Sequence, residues 1–313
     1  MITETTARGF LASAHMNVNA MFDELIKLSR VSLFTLIPLT LAFIVVGYIS
    51  NSLTILSIAL DSGVSLIVQT FAFKSIRAMK SGDHIRFPHG TGKLENFSGF
   101  LYGALNIPVA LYILHRSIGD LITPTVTEYT IAQLPMIPSL LRSGYLFWFA
   151  RRLSTQFDSP LIESYVMDFR VALWFDGLVI FALTLGMLLT IAGVNSLTGY
   201  IDPVFSLGIA LYLLHGASFL LLRNFKVLVD FPMPEDEQID IIRVLAEEFD
   251  SYDQLGSIRT RRSGAQRLVD IELYFHGAVD VTFISALSNR IGDKLRARYR
   301  DMKVNILVIE TPP

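Results

Sequence analysis

Three aspartates interrupt otherwise apolar stretches of this chain, and their types and spacing suit cation binding. Asp61 is the one ionisable residue between Ser52 and Phe73, while Asp168 and Asp176 lie between Leu161 and Ala192 together with Glu163 and Arg170. Ser65 follows Asp61 by four positions, and Asp168, Ala172 and Asp176 repeat the same interval. On helices each set therefore shares one face. Ala172 has no ligand atom, which leaves Asp61 and Ser65 on one helix and Asp168 and Asp176 on another. Such an all-oxygen set suits hard divalent cations such as Mg²⁺ or Mn²⁺ better than soft ones. A charge near a bilayer centre costs at least about 2.5–3.5 kcal/mol, so each aspartate needs a cavity, a partner or a proton.

The elements that hold these residues read as membrane spans. The 313 residues have a mean hydropathy of +0.49 and only 17% charged side chains, against about 25% in soluble domains. From Val31 to Leu60 there is no Asp, Glu, Lys or Arg, a run longer than the roughly 20 residues a span needs. Six spans are expected: Ser32–Ile49, Ser52–Phe73, Phe97–Leu114, Ile131–Ala150 (interrupted by Arg142), Leu161–Ala192 and Pro203–Leu222. Ser50 and Asn51 alone join the first two. At about 1.5 Å per residue, Asp61 and Asp176 fall at comparable depth, with Asp168 about two turns nearer the opposite face. Arg142 could also form an ion pair with Asp168.

Lys27, Arg30, Lys74, Arg77, Lys80, Arg86, Lys93, Arg151, Arg152, Arg223 and Lys226 all flank the spans on one side, against Arg116 on the other. That asymmetry places both termini in the cytoplasm. Residues 1–30 are expected to form a cytoplasmic segment with an amphipathic helix over Asn17–Arg30 at the membrane surface, residues 31–226 the membrane domain and residues 227–313 a cytoplasmic domain. This last domain reads as helix Glu235–Phe249, strands Gly256–Arg262 and Leu268–Phe275, helix Val281–Tyr299 and strand Lys303–Ile309. The fold class is thus a six-helix membrane protein with a cytosolic α+β (αββαβ, ferredoxin-like) domain. A module of about 85 residues is marginal alone, which favours pairing with a second copy. A net charge of −2 gives no case for nucleic-acid binding, and without cysteine no disulfide, thiolate site or cysteine nucleophile can form.

On these residues the chain resembles the cation diffusion facilitator family. The second span, SNSLTILSIALDSGVSLIVQ, is similar to the family's SxSLxLLxDxxxSxxD helix, and RFPHGTGKLE at Arg86–Glu95 to its HPYGHGKxE signature. Ser159–Leu161, Asp202–Pro203 and Leu228–Asp230 match the family at the starts of span five, span six and the tail. The resemblance implies a homodimeric exchanger of divalent metal for protons, with two ligands four apart on span two and two on span five. Those positions fall on Asp61, Ser65, Asp168 and Ala172, and Asp176 is the natural substitute for the ligand missing at Ala172. Zinc suits this set poorly, since no histidine occupies it. The loop carries Phe87 and Thr91 where the family often has metal-binding histidines, with His84 and His89 off register beside Lys93 and Glu95. These four are expected to serve coupling or gating. Apolar residues around Leu287 and Val308 replace the tail's metal-binding histidines.

The function expected is export of a divalent metal such as Mn, Fe or Zn (Mg is also compatible) by exchange for protons. The metal is substrate, no tightly held cofactor is expected, and the chain is not read as an enzyme. Expected partners are the cation, protons, membrane lipid and a second copy joined through the tail, in a bacterial inner membrane. The rival is a non-transporting scaffold or partner subunit. An aspartyl protease reading of Asp61–Ser62–Gly63 fails, because that triplet lies inside an apolar helix.

Overall fold

The computed structural model describes residues 4–81, 92–157, 160–263, 266–277, 279–299 and 301–311. They form helices α1 (Glu4–Ile49), α2 (Leu53–Ser81), α3 (Gly92–Ile122), α4 (Tyr129–Ala132), α5 (Met136–Ser154), α6 (Pro160–Ile191) and α7 (Asn195–Leu228). There follow α8 (Glu235–Ala246), β1 (Gln254–Ser263), β2 (Gln266–His276), α9 (Val281–Arg298) and β3 (Met302–Thr311). The chain divides into two units, the first being the helical bundle as far as Leu221 on α7 and from Ser98 on α3. The second comprises the start of α3 and all that follows Leu221.

Among the described residues five helices are long and apolar enough to cross a bilayer: Asn19–Ile49, Leu53–Ser81, Asn96–Ile122, Ile162–Ile191 and Leu197–Leu228. The expected fourth span corresponds to α5, whose hydropathy is diluted by Arg142, Arg151 and Arg152. Its 19 residues still reach about 28 Å, close to the hydrocarbon thickness of about 30 Å. It packs between α1 and α6. Large apolar side chains such as Phe34, Leu41, Trp174 and Phe181 cover the outside of the bundle, which only lipid or a partner surface tolerates.

The amphipathic segment expected to lie at the surface is instead the start of α1, which continues through Arg30 without a break. Leu25 and Leu28 are wholly buried and pack with Ile76, Leu146, Phe149 and Ile162. Burial of both leucines draws the segment into the bundle. The α1–α2 reversal is as tight as expected. Asn51 adopts a left-handed conformation (φ 51°) and the Ser52 amide donates back to Gly47 O at 3.1 Å; asparagine tolerates that region better than most residues.

Within the second unit β1 and β2 pair antiparallel (Thr260 opposite Val269), and β2 and β3 run parallel (Ile271 beside Ile306). This is a ferredoxin-like order lacking its first strand. Alternate β2 residues Val269, Ile271, Leu273 and Phe275 point into a core shared with Ile241 and Leu245 of α8 and Leu287, Ile291 and Leu295 of α9. Asp280 caps α9 by accepting the Thr282 amide at 3.1 Å. Glu237, largely buried, accepts from Arg262 and Arg267.

Lys294 donates to Glu248 at 2.9 Å and Arg290 lies 3.1 Å from the same carboxylate. The Lys294 hydrogen bond, aided by the Arg290 charge and opposed by burial, holds the Glu248 carboxyl below its usual range. Its stabilisation is therefore complete above the unfolded glutamate pKa of about 4.3 and disappears as pH falls through the lower folded value. Glu248→Gln is expected to flatten the acid limb of a melting-temperature profile below about pH 4.5; an unchanged limb would contradict this.

Candidate functional site

Buried apolar side chains of the bundle gather into two clusters, and the polar residues fall between them. One cluster holds Leu39, Phe43, Ile55, Ile58, Met136, Val179 and Leu183. The other holds Leu25, Leu28, Ile76, Leu146, Phe149, Ile162 and Phe169. By position along each helix, the interval contains Ser32 and Thr35 of α1, Asp61, Ser65 and Gln69 of α2, Ser139, Arg142 and Ser143 of α5, and Asp176 of α6, while Asp168 adjoins Phe169 at the edge of the second cluster. A polar layer thus lies between two apolar plugs.

Asp61 projects from mid-α2 toward α3. Its Oδ1 accepts the Tyr102 hydroxyl at 2.9 Å and the Asn106 amide at 3.1 Å. The donors are four residues apart on α3 and so share a face. They reach inward because α3 lies close to α7 at Gly103, where a Cβ would stand 2.6 Å from Ala217 O and 2.8 Å from Leu221 N. Asp168 is exposed on α6 and takes no hydrogen bond or ion pair from any described residue. Ser65 is half-buried on α2 and likewise makes no side-chain hydrogen bond among the described residues.

Asp176 is bound by α5. It is buried, and its two oxygens accept Ser139 at 2.9 Å and Ser143 at 2.7 Å, successive turns of α5. Arg142, between those serines, acts electrostatically on Asp176 rather than Asp168, which corrects the alternative ion pair. The guanidinium is anchored on α1 by the Ser32 carbonyl at 3.0 Å, Ser32 Oγ at 3.1 Å and Thr35 Oγ1 at 3.1 Å. The family resemblance offered Asp176, one turn beyond Ala172, as the substitute ligand; in the structure both its oxygens are taken by the serine pair on α5. Among the described residues no three of His, Asp and Glu cluster as a metal site.

Sequence reasoning passed over Tyr102 and Asn106, although an asparagine in an apolar span, one turn from a tyrosine, was a legible signal. It also read Asp202 only as a motif residue. Asp202 is buried on α7, where it accepts Ser52 Oγ and the Leu53 amide, both at 2.6 Å, and so caps the start of α2 from another helix. His84 and His89 lie outside the described residues, as does the Glu95 side chain. Lys93 is described and pairs with Asp230 at 2.9 Å. Asp230 ends α7 in the left-handed region (φ 55°) and also faces Arg261 at 3.6 Å.

The family model of the cation efflux transmembrane domain matches residues 29–229, and that of the cation efflux protein cytoplasmic domain matches residues 234–308. The chain belongs to the cation diffusion facilitator family. The cation-efflux pump FieF of Escherichia coli (strain K12 / DH10B) is 21% identical over 286 residues, covering 90% of this chain and 92% of that protein. FieF of Escherichia fergusonii is 21% identical over 284 residues with the same coverage. As a cation diffusion facilitator the chain is an integral membrane cation efflux transporter. Within the family pattern its departures are Ser65, Ala172 and an Asp176 bound to α5.

Removing the Asp176 carboxylate strands two serine hydroxyls and uncompensates Arg142. Asp176→Ala is expected to destabilise the bundle by about 2–4 kcal/mol, read as a lower melting temperature in detergent. A wild-type melting temperature would contradict the structural role.

Proposed function

We propose that this transporter exports a divalent metal ion from the cytoplasm in exchange for protons, with Asp61 and Asp168 as its principal ligands and Ser65 beside them. The observation that supports this most is Asp61 at mid-α2, whose one oxygen accepts from both Tyr102 and Asn106 of α3 inside the polar layer. Two carboxylates balance the charge of one divalent ion, and the same oxygens take up protons. Metal and proton therefore compete for one site. Movement of α2 and α6 between inward- and outward-facing arrangements would open first one apolar plug and then the other. Oxygen ligands favour Mn²⁺, Fe²⁺ or Mg²⁺ over Zn²⁺.

In the same reading the protein lies in a bacterial inner membrane with both termini in the cytoplasm, and pairs as a homodimer through the second unit. The loop residues His84, His89, Lys93 and Glu95 couple the tail to transport; for Lys93 the support is its ion pair with Asp230. One observation favours a second reading, a non-transporting scaffold or partner subunit. Asp176 is committed to α5, so this chain brings fewer strong ligands together than the family pattern has.

Metal uptake into proteoliposomes under a proton gradient separates the two. Asp61→Ala and Asp168→Ala are each expected to reduce Mn²⁺ flux at least about tenfold, the loss of one charged ligand being worth 1.4 kcal/mol or more. Wild-type uptake no greater than that of empty liposomes would overturn the transport reading, and equal uptake by wild type and Asp61→Ala would remove Asp61 from the site.

A further inference from the structure

Asn106 is wholly buried on α3. Its Nδ2 donates to Asp61 at 3.1 Å, while its carbonyl Oδ1 has no partner. Among the described residues, Oδ1 is the one buried side-chain oxygen or nitrogen of the membrane helices left unpaired; the others (on Ser257, Arg261 and Arg262) lie in the tail. Elsewhere the bundle satisfies its buried polar groups closely, as the two oxygens of Asp176 and those of Asp202 show. An orphaned buried acceptor costs about 1–3 kcal/mol, and such an atom calls for an explanation.

We propose that Asn106 is a direct ligand of the transported cation, presenting its side-chain carbonyl oxygen beside Asp61 and biasing the site toward hard divalent ions. This rests on the reading of Asp61 as a cation-binding carboxylate. The amide has two faces with opposite polarity. Its NH₂ group suits a bare carboxylate and is repelled by a cation on that carboxylate. A half turn about the Cβ–Cγ bond exchanges the two faces and puts Oδ1 near the position Nδ2 now holds, 3.1 Å from Asp61 Oδ1. Two oxygens facing each other at that distance are unfavourable unless a cation lies against both or Asp61 carries a proton. Asn106 thus supplies a neutral oxygen, of the kind Ca²⁺ and similar hard ions accept from Asn side chains. That oxygen compensates for Ser65 and Ala172, where strong ligands are lacking, and for Asp176, which α5 retains. Tyr102 positions Asp61 from the preceding turn of the same helix.

The test is the ratio of Mn²⁺ to Zn²⁺ affinity, measured by calorimetry on folded full-length protein in detergent. Wild type is compared with Asn106→Leu, Asn106→His and Asp61→Ala. Leucine keeps the shape and loses the ligand, so Mn²⁺ affinity is expected to fall about tenfold or more, and Zn²⁺ affinity less. Histidine keeps an N–H to donate to Asp61 and replaces a hard oxygen with nitrogen, so preference is expected to shift about tenfold toward Zn²⁺. A purely structural asparagine would move neither ratio. Wild-type Mn²⁺ affinity in Asn106→Leu, or an unchanged ratio in Asn106→His, overturns the proposal. Should the leucine variant fail to fold, the histidine variant decides alone. If Asp61→Ala abolishes Mn²⁺ binding while both Asn106 variants behave as wild type, the carboxylate site stands and Asn106 alone is removed from it. Mn²⁺ binding that survives Asp61→Ala removes the underlying reading instead.

Discussion

Three aspartates of the bundle answer to one constraint: an ionisable oxygen buried among apolar helices must be given a polar partner by another helix. Each buried aspartate meets that demand differently. Asp176 is held by two serines and a charge from α5, Asp202 by the hydroxyl and amides that open α2, and Asp61 by a phenol and an amide from α3. The first two have both oxygens engaged and serve as fixed joints between helices. Asp61 has one oxygen engaged twice, and next to it lies an amide whose other face is unsatisfied. That difference separates a site from a joint.

The joints explain how the site can be carried by moving helices. Arg142 ties α5 to α1 through Ser32 and Thr35, while Asp176 ties α6 to α5. The polar layer therefore has a rigid side on α1 and α5. On α6, Asp168 makes no hydrogen bond or ion pair among the described residues, and in the proposed reading it faces the cation together with Asp61 of α2. The apolar clusters above and below are non-directional contacts and can slide past one another more readily than hydrogen-bonded groups can.

Much of this architecture was legible in the sequence. Charge-free runs marked the spans, the basic residues marked one side, and alternation in Leu268–Phe275 marked β2 to within two residues. The resemblance pointed to Asp61 and Asp168, of which Asp61 faces Tyr102 and Asn106 of α3. What could not be read was orientation about each helix axis. Asp176 has the depth for the site, and only the Ser139–Ser143 pair across the interface turns it away. Tyr102 and Asn106 were passed over for a related reason: neither carries charge, so each is a weaker signal than an aspartate, and their value arises from facing Asp61. The surface helix assigned to Asn17–Arg30 failed because Leu25 and Leu28 find partners on α2, α5 and α6 that no local pattern reveals.

The central claim is that a divalent ion sits on the Asp61 carboxylate within the polar layer. The most direct measurement is the position of Mn²⁺ in the protein, located by anomalous scattering at the manganese edge. The account predicts a peak within about 2.6 Å of an Asp61 oxygen, on the side facing Asn106 and Asp168. A manganese peak confined to the Asp176 pocket or to the tail would contradict it.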